Sequence, residues 1–285
     1  MLYLYLIGDI VMTSAILPEI HERGTHMGKI IAVSNQKGGV GKSTTVVNLA
    51  AALGGKGKKV LVVDIDAQGN TTTGLGVRKR SIVNTVYEVL IGACRTADAI
   101  VPTAFKGVSL ISSAQKLAGA EIELASVDNR LMRLKMQLLA VKDMFDFILI
   151  DTPPSLSLIT LNALVACDSV MIPIQCEFYS LEGLVQLTDT IKRIKDGYNP
   201  NMYIEGILFT MYVGRYNLTA QVVNEVNKYF AKEVYKTVIP RNVALSEAPS
   251  HGKPIMYYDR SSRGCEAYET FCSEFLSRIR QRNKK

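Results

Sequence analysis

A short apolar run that breaks into glycines and resumes as a helix constrains this chain more than any other feature. The segment Ile30–Ala50 reads IIAVSNQKGGVGKSTTVVNLA. Its first residues, Ile30–Ser34, have the β-branched, unbroken apolar character of a strand covered on both faces. From Ser43 the apolar residues return at helical spacing. Between the two lies Lys37-Gly38-Gly39-Val40-Gly41-Lys42-Ser43-Thr44. Glycines there admit the backbone conformations that turn successive N–H groups toward phosphate oxygens. A helix starting near Ser43 adds the positive end of its dipole. The spacing of a P-loop predicts Lys42 at the β- and γ-phosphates and the Ser43 hydroxyl on Mg²⁺. A Gly-rich turn with fortuitous lysines would not also require the strand before it and the helix after it.

Two further segments carry carboxylates just past an apolar strand, VLVVDID at Val60–Asp66 and FILIDTPP at Phe147–Pro154. In open α/β sheets ligands gather at the carboxyl ends of strands, so these groups are expected to face the phosphates. Asp151 is expected to hold Mg²⁺ through water, since this ion keeps most of its hydration shell. Asp66 is expected to orient or activate the attacking water. Asp64 stays ambiguous, because a strand-end Asp can equally cap the following turn.

The rest of the chain repeats the strand–helix alternation. Strands are expected at Val60–Asp64, Val108–Ile111, Phe147–Asp151, Val170–Ile174, Ile204–Thr210 and Thr237–Ile239, and helices at Ser43–Lys56, Ala120–Lys142, Ser180–Lys195 and Thr219–Lys232. That order implies a doubly wound, mostly parallel α/β sheet with helices on both faces. One domain is expected over 27–285, with 1–26 an N-terminal extension outside the fold. Its first twelve residues are apolar but short and interrupted by Asp9, unlike a signal peptide or a membrane span.

Of the 285 residues 48% are hydrophobic and 21% charged, as in packed globular chains. The five cysteines form no CxxC pair and read as reduced thiols of a cytoplasmic protein. Lys and Arg number 33 against 26 acidic residues, a formal charge of +7 that suits a polyanionic partner.

Lys37 ahead of Gly38, together with VDIDAQGNTT, LIDTPPSLSLITLNAL, GILFTMYVGR and VIPRNVALSEAPSHGKPI, resembles the deviant Walker A P-loop NTPases that include ParA/Soj and MinD. The last two segments are more similar to the Soj-like chromosome-partition branch. The resemblance implies an ATPase whose Lys37 reaches a partner's ATP across a sandwich homodimer. It implies that Pro240 and Asn242 contact adenine, and that Asp66 with Gln68–Thr72, and Thr152–Ser157, are the two switch segments. It also implies ATP-dependent binding of non-specific double-stranded DNA on the nucleoid, and hydrolysis stimulated by a ParB/Spo0J-like centromere-binding protein. Arg215 matches one DNA-binding position. Many relatives carry a second Arg where this chain has Ala244, and Arg241, Lys253, Arg260, Arg263 or Lys192, Arg193 and Lys195 are candidates to compensate.

Other readings use parts of the same pattern. A MinD-like, membrane-associated division regulator would use the C-terminal stripe Tyr268, Phe271, Phe275, Leu276 and Ile279 as an amphipathic anchor. The same stripe fits a helix packed on the core, and Glu266, Glu269 and Glu274 oppose an anionic membrane, so no stable membrane association is expected. A relative of the nitrogenase iron protein would need cysteines able to share a cluster across a dimer. A small-molecule kinase would need an acceptor site, for which no signature is present. Sequence-specific operator binding would need a much longer N-terminal extension than the one before Met27.

Overall fold

The computed structural model describes residues 28–284, so the expected extension over 1–26 lies outside the described residues. Seven strands form one sheet: β1 Lys29–Val33, β2 Val60–Asp64, β3 Ile100–Pro102, β4 Val108–Ile111, β5 Phe147–Asp151, β6 Ser169–Gln175 and β7 Tyr203–Thr210. Their spatial order is β3-β4-β2-β5-β1-β6-β7. All neighbours are parallel except β3, a short edge strand antiparallel to β4.

Alternation along the strands divides the core into two layers. Ile30, Ala32, Leu61, Val63, Ile148 and Ile150 point into one apolar cluster, whereas Ile31, Val33, Val60, Val62 and Leu149 point into the other. Because both faces are covered, the central strands β1, β2 and β5 show no polar side, which is why their sequences are apolar between their ends. The first cluster is closed by the helices Leu158–Ala166, Tyr179–Gly197 and Asn217–Phe230, the second by Lys42–Gly55 and Arg263–Arg282.

The C-terminal stripe is therefore core. Tyr268, Phe271, Phe275, Leu276 and Ile279 are buried against Leu49 and Leu53 of the P-loop helix, leaving no apolar face for a membrane. Among the described residues no helix is long and apolar enough to cross one.

Two expected elements differ. The stretch Ala120–Lys142 is not one helix but Leu117–Ala125 and Arg133–Leu139. Asn129 enters the left-handed region at φ 56°, which Asn tolerates better than most residues. Buried Asn162 then satisfies the broken ends, donating to the Arg130 carbonyl at 2.9 Å and accepting from the Leu134 N–H at 3.2 Å. Thr237–Ile239 is extended but joins no ladder as a strand. Glu274 accepts from the Lys236 and Thr237 N–H groups at 2.9 and 2.8 Å, and Pro240 offers no N–H to continue. Only Ile239 bonds beside β7, its N–H donating to the Phe209 carbonyl at 2.8 Å. Ile100–Pro102 gave no sequence signal because three residues are too few to show a period.

Candidate nucleotide site

The carboxyl ends of β1, β2 and β5 converge on a cleft of about 540 Å³ lined by Gly38, Gly39, Gly41, Lys42, Ser43, Thr44, Asp66, Gln68 and Pro154. The loop after β1 is held from behind through its carbonyls. Thr210 donates to the Val40 carbonyl at 2.8 Å and Gln175 to the Gly39 carbonyl at 3.1 Å. Asn35 accepts from the Lys37 N–H at 3.0 Å while donating to the Pro173 carbonyl at 2.8 Å. With the carbonyls so engaged, the N–H groups of Gly38, Gly39 and Gly41 have no protein acceptor among the described residues. Gly39 and Gly41 hold φ at 73° and 86°, which a side chain would strain. The helix Lys42–Gly55 starts directly on Gly41, without a side-chain cap. An anion fits this cradle.

Lys42 is buried to 7% exposure, and its ammonium donates to the Lys37 carbonyl at 3.1 Å. Burial lowers its pKa, partly opposed by the charges of Asp151 and Asp66. Asp64 and Asp151 lie side by side in register on β2 and β5, both fully buried. Burial, then the neighbouring Asp151 carboxylate, pushes Asp64 up, against hydrogen bonds from Thr72. Burial also pushes Asp151 up, against the hydroxyls of Thr71 and Ser43 and the charge of Lys42. Asp151 Oδ2 accepts from Thr71 at 2.7 Å, but Oδ1 is buried without a partner. An orphaned carboxylate oxygen beside the Ser43 hydroxyl is the donor set that a hydrated Mg²⁺ fits.

Asp64 is mainly a loop anchor. Its Oδ2 accepts from both the N–H and the hydroxyl of Thr72 at 2.7 Å, and its Oδ1 accepts from the Asp66 N–H at 3.2 Å. Asp66 in turn accepts from the Gln68 N–H at 3.0 Å, and its side chain lines the cleft. Lys79 ties the same loop from outside by donating to the Gln68 carbonyl.

The sequence pattern of the family described as AAA domain matches residues 28–204. The chain is 55% identical over 248 residues to the sporulation initiation inhibitor protein Soj of Bacillus subtilis, covering 87% of this chain and 98% of that one. It is 49% identical over 258 residues to the chromosome partitioning protein ParA of Myxococcus xanthus, covering 90% and 91%. The chain belongs to the Soj/ParA family of P-loop ATPases. The fold is also similar to cobyrinic acid a,c-diamide synthase from Mycobacterium smegmatis, solved with bound ADP and magnesium. That match has a TM-score of 0.79 at 35% identity and covers 89% of this chain and 96% of that one.

The geometry brings most of the residues named from the Soj/ParA pattern together. Pro240 and Asn242 line a second cavity of about 250 Å³ that shares Gly41, Thr44, Met211 and Pro249 with the phosphate cleft. Asn242 is already committed in part, since its oxygen caps the helix Val243–Glu247 by accepting from the Leu245 N–H at 3.1 Å. Lys37 does not line its own cleft; its ammonium is paired with Glu177, just past β6. Arg215 and Arg241 are both exposed on the surface, and Arg241 lines this second cavity. Lys253, a candidate to compensate for Ala244, is exposed and lines the first cleft.

Met211, Gln175, Glu177 and Lys79 were missed from sequence. Met211 holds φ at 49° and lines both cavities. A methionine in the left-handed region leaves no mark in a sequence, and the other three act through loop contacts that no spacing rule encodes.

Proposed function

We propose that the chain is an ATP-driven DNA-partitioning switch that acts in the cytoplasm. The observation that carries this reading is the division of labour between two lysines of one loop. Lys42 lies inside the cleft, while Lys37 faces out of it toward Glu177. A cation outside its own cleft is available to a second copy, so a homodimer completes the phosphate site only when two chains meet.

In the proposed cycle the N–H groups of Gly38 to Thr44 and the ammonium of Lys42 hold the phosphates of ATP. Ser43 and, through water, Asp151 would hold Mg²⁺, which would supply positive charge against the phosphates. Pro240 and Asn242 contact the adenine. Asp66 orients the water that attacks the γ-phosphorus, and the bond to the β-phosphate oxygen breaks to leave ADP and phosphate. Gln68–Thr72 and Thr152–Ser157 carry the change of nucleotide to the surface. The ATP dimer binds non-specific duplex DNA through Arg215 and Arg241, and a ParB/Spo0J-like protein accelerates hydrolysis to release it. Family membership and the buried C-terminal stripe support this over a membrane-bound regulator.

The test is retention on non-specific duplex DNA with ATP, ADP or no nucleotide across a salt series, for wild type and Asp66→Ala. ATP-dependent binding that weakens by a log–log slope of about −0.9 per neutralised phosphate is expected, and it should persist in the hydrolysis-deficient variant. Arg215→Glu should weaken retention without abolishing ATP binding. Protein that binds ATP but no DNA in any nucleotide state sinks the reading and makes lipid the next ligand to try.

A further inference from the structure

Between Arg215 and the helix Asn217–Phe230 stands Tyr216, half exposed to solvent. The Arg215 guanidinium lies over its ring, 5.4 Å from the centroid, and donates to the phenolic oxygen at 3.5 Å. Arg241 reaches the same place because the chain crosses there. The Tyr212 N–H donates to the Ile239 carbonyl at 2.9 Å, and Pro240 bridges to Tyr212. The two arginines both favour the ionised phenol: Tyr216 is held below its ordinary pKa, first by the hydrogen bond from Arg215, then by the charge of Arg215, with Arg241 contributing. Val243 is exposed beside Ala244, so that side of the patch offers no charge of its own.

An exposed aromatic hydroxyl held by one guanidinium, with a second arginine on the neighbouring strand crossing, has one obvious complement. An oxyanion can take the phenolic O–H while both arginines neutralise it, and tyrosine hydroxyls are regular donors to DNA phosphates. We infer that Tyr216 is a third contact to the duplex backbone, forming one phosphate clamp with Arg215 and Arg241. It fixes the Arg215 guanidinium by its ring and adds a donor by its hydroxyl, in a patch where Ala244 supplies no side chain able to bind phosphate. This inference rests on the reading of the chain as a DNA-binding switch.

An uncharged donor and a cation leave different signatures in a salt series. Losing an arginine removes a released counterion and flattens the slope by about 0.9, whereas losing a hydroxyl lowers affinity without changing the slope. The experiment uses the full chain with ATP, a non-specific duplex and the variants Tyr216→Phe, Tyr216→Ala and Arg215→Ala, with nucleotide retention reporting that each is folded. Tyr216→Phe is expected to bind about three- to tenfold more weakly at an unchanged slope, the worth of one hydrogen bond. Tyr216→Ala should bind more weakly still, because Arg215 loses its support. Wild-type affinity in both tyrosine variants, with Arg215→Ala impaired, overturns the clamp and leaves the DNA reading intact. No DNA binding by wild type overturns both. Binding of acidic phosphatidylglycerol vesicles that is lost in the same variants would give the patch to a membrane and overturn the clamp.

Discussion

The two ends of the sheet bury carboxylates in opposite ways. At the amino ends of β6 and β7, Glu205 is fully buried and fully answered. Lys29 stands 2.6 Å from Oε2 and Arg282 2.9 Å from Oε1, and Ser169 donates to Oε2 at 2.7 Å. At the carboxyl ends, Asp64 and Asp151 are equally buried, face each other, and make no ion pair among the described residues. A buried charge with every partner in place joins the first strand to the last helix. A buried pair that repels, with one oxygen orphaned, is structure held ready for a cation. The contrast shows where the fold spends stability for function.

The largest effect should come from the cation at the strained end. Lys42→Ala is expected to lower ATP hydrolysis by about a hundredfold or more, the scale for losing one preorganised charge at a phosphoryl centre. A phosphate-release assay at saturating Mg-ATP checks it, and near-normal turnover would break the assignment of that end.

The answered end is tested by stability instead. Glu205→Ala leaves Lys29 and Arg282 without their carboxylate and should cost about 3 kcal/mol, the low end for a broken buried pair because both cations are partly exposed. Denaturant unfolding reads this directly. A loss under about 1 kcal/mol would erase the contrast.

The strained end should also show itself in pH. Asp64 is raised to about 7, so between about pH 4 and that value the folded chain binds more protons than the unfolded one. Stability of the nucleotide-free protein should therefore be highest on the acid side of this window and fall as pH rises through it, by about 3 kcal/mol. Asp151→Asn removes the repulsion, so its stability should vary less with pH than that of wild type. A wild-type melting profile that instead rises from pH 5.5 to pH 7.5, with Asp151→Asn following it, would contradict the pairing.

Smallest is the exposed pair beside the loop. Glu177→Ala should change unfolding stability by less than about 1 kcal/mol, because a solvent-exposed ion pair contributes little. A larger loss would mean that Glu177 supports the fold rather than only holding Lys37.

These differences mark what a sequence can carry. The strand–glycine–helix run at Ile30–Ala50 specified the cradle because each residue there acts through its own backbone or at a fixed spacing. The position of Asp151 at the buried end of β5 was legible for the same reason, since it closes an apolar strand. Asp64 was not, because capping a turn and facing a metal use the same residue at the same place, and only the Thr72 contacts decide between them. The helix expected across Ala120–Lys142 failed because its break is stabilised by Asn162, distant in sequence. Glu177 and Lys79 belong to the same class: their partners are chosen by the packing of loops, after the strands have been placed.

Thr71 and Thr72 are adjacent, and each hydroxyl holds a different member of the repelling pair, Asp151 and Asp64, at 2.7 Å. One peptide unit thus has a finger on both carboxylates. Whatever draws Asp151 away from Thr71 loosens the turn that presents Gln68, while Thr72 keeps its grip on Asp64. The loop would then act as a clutch, half engaged and half slipping, and the occupancy of the strand ends would be felt at the surface through the loss of a single hydrogen bond.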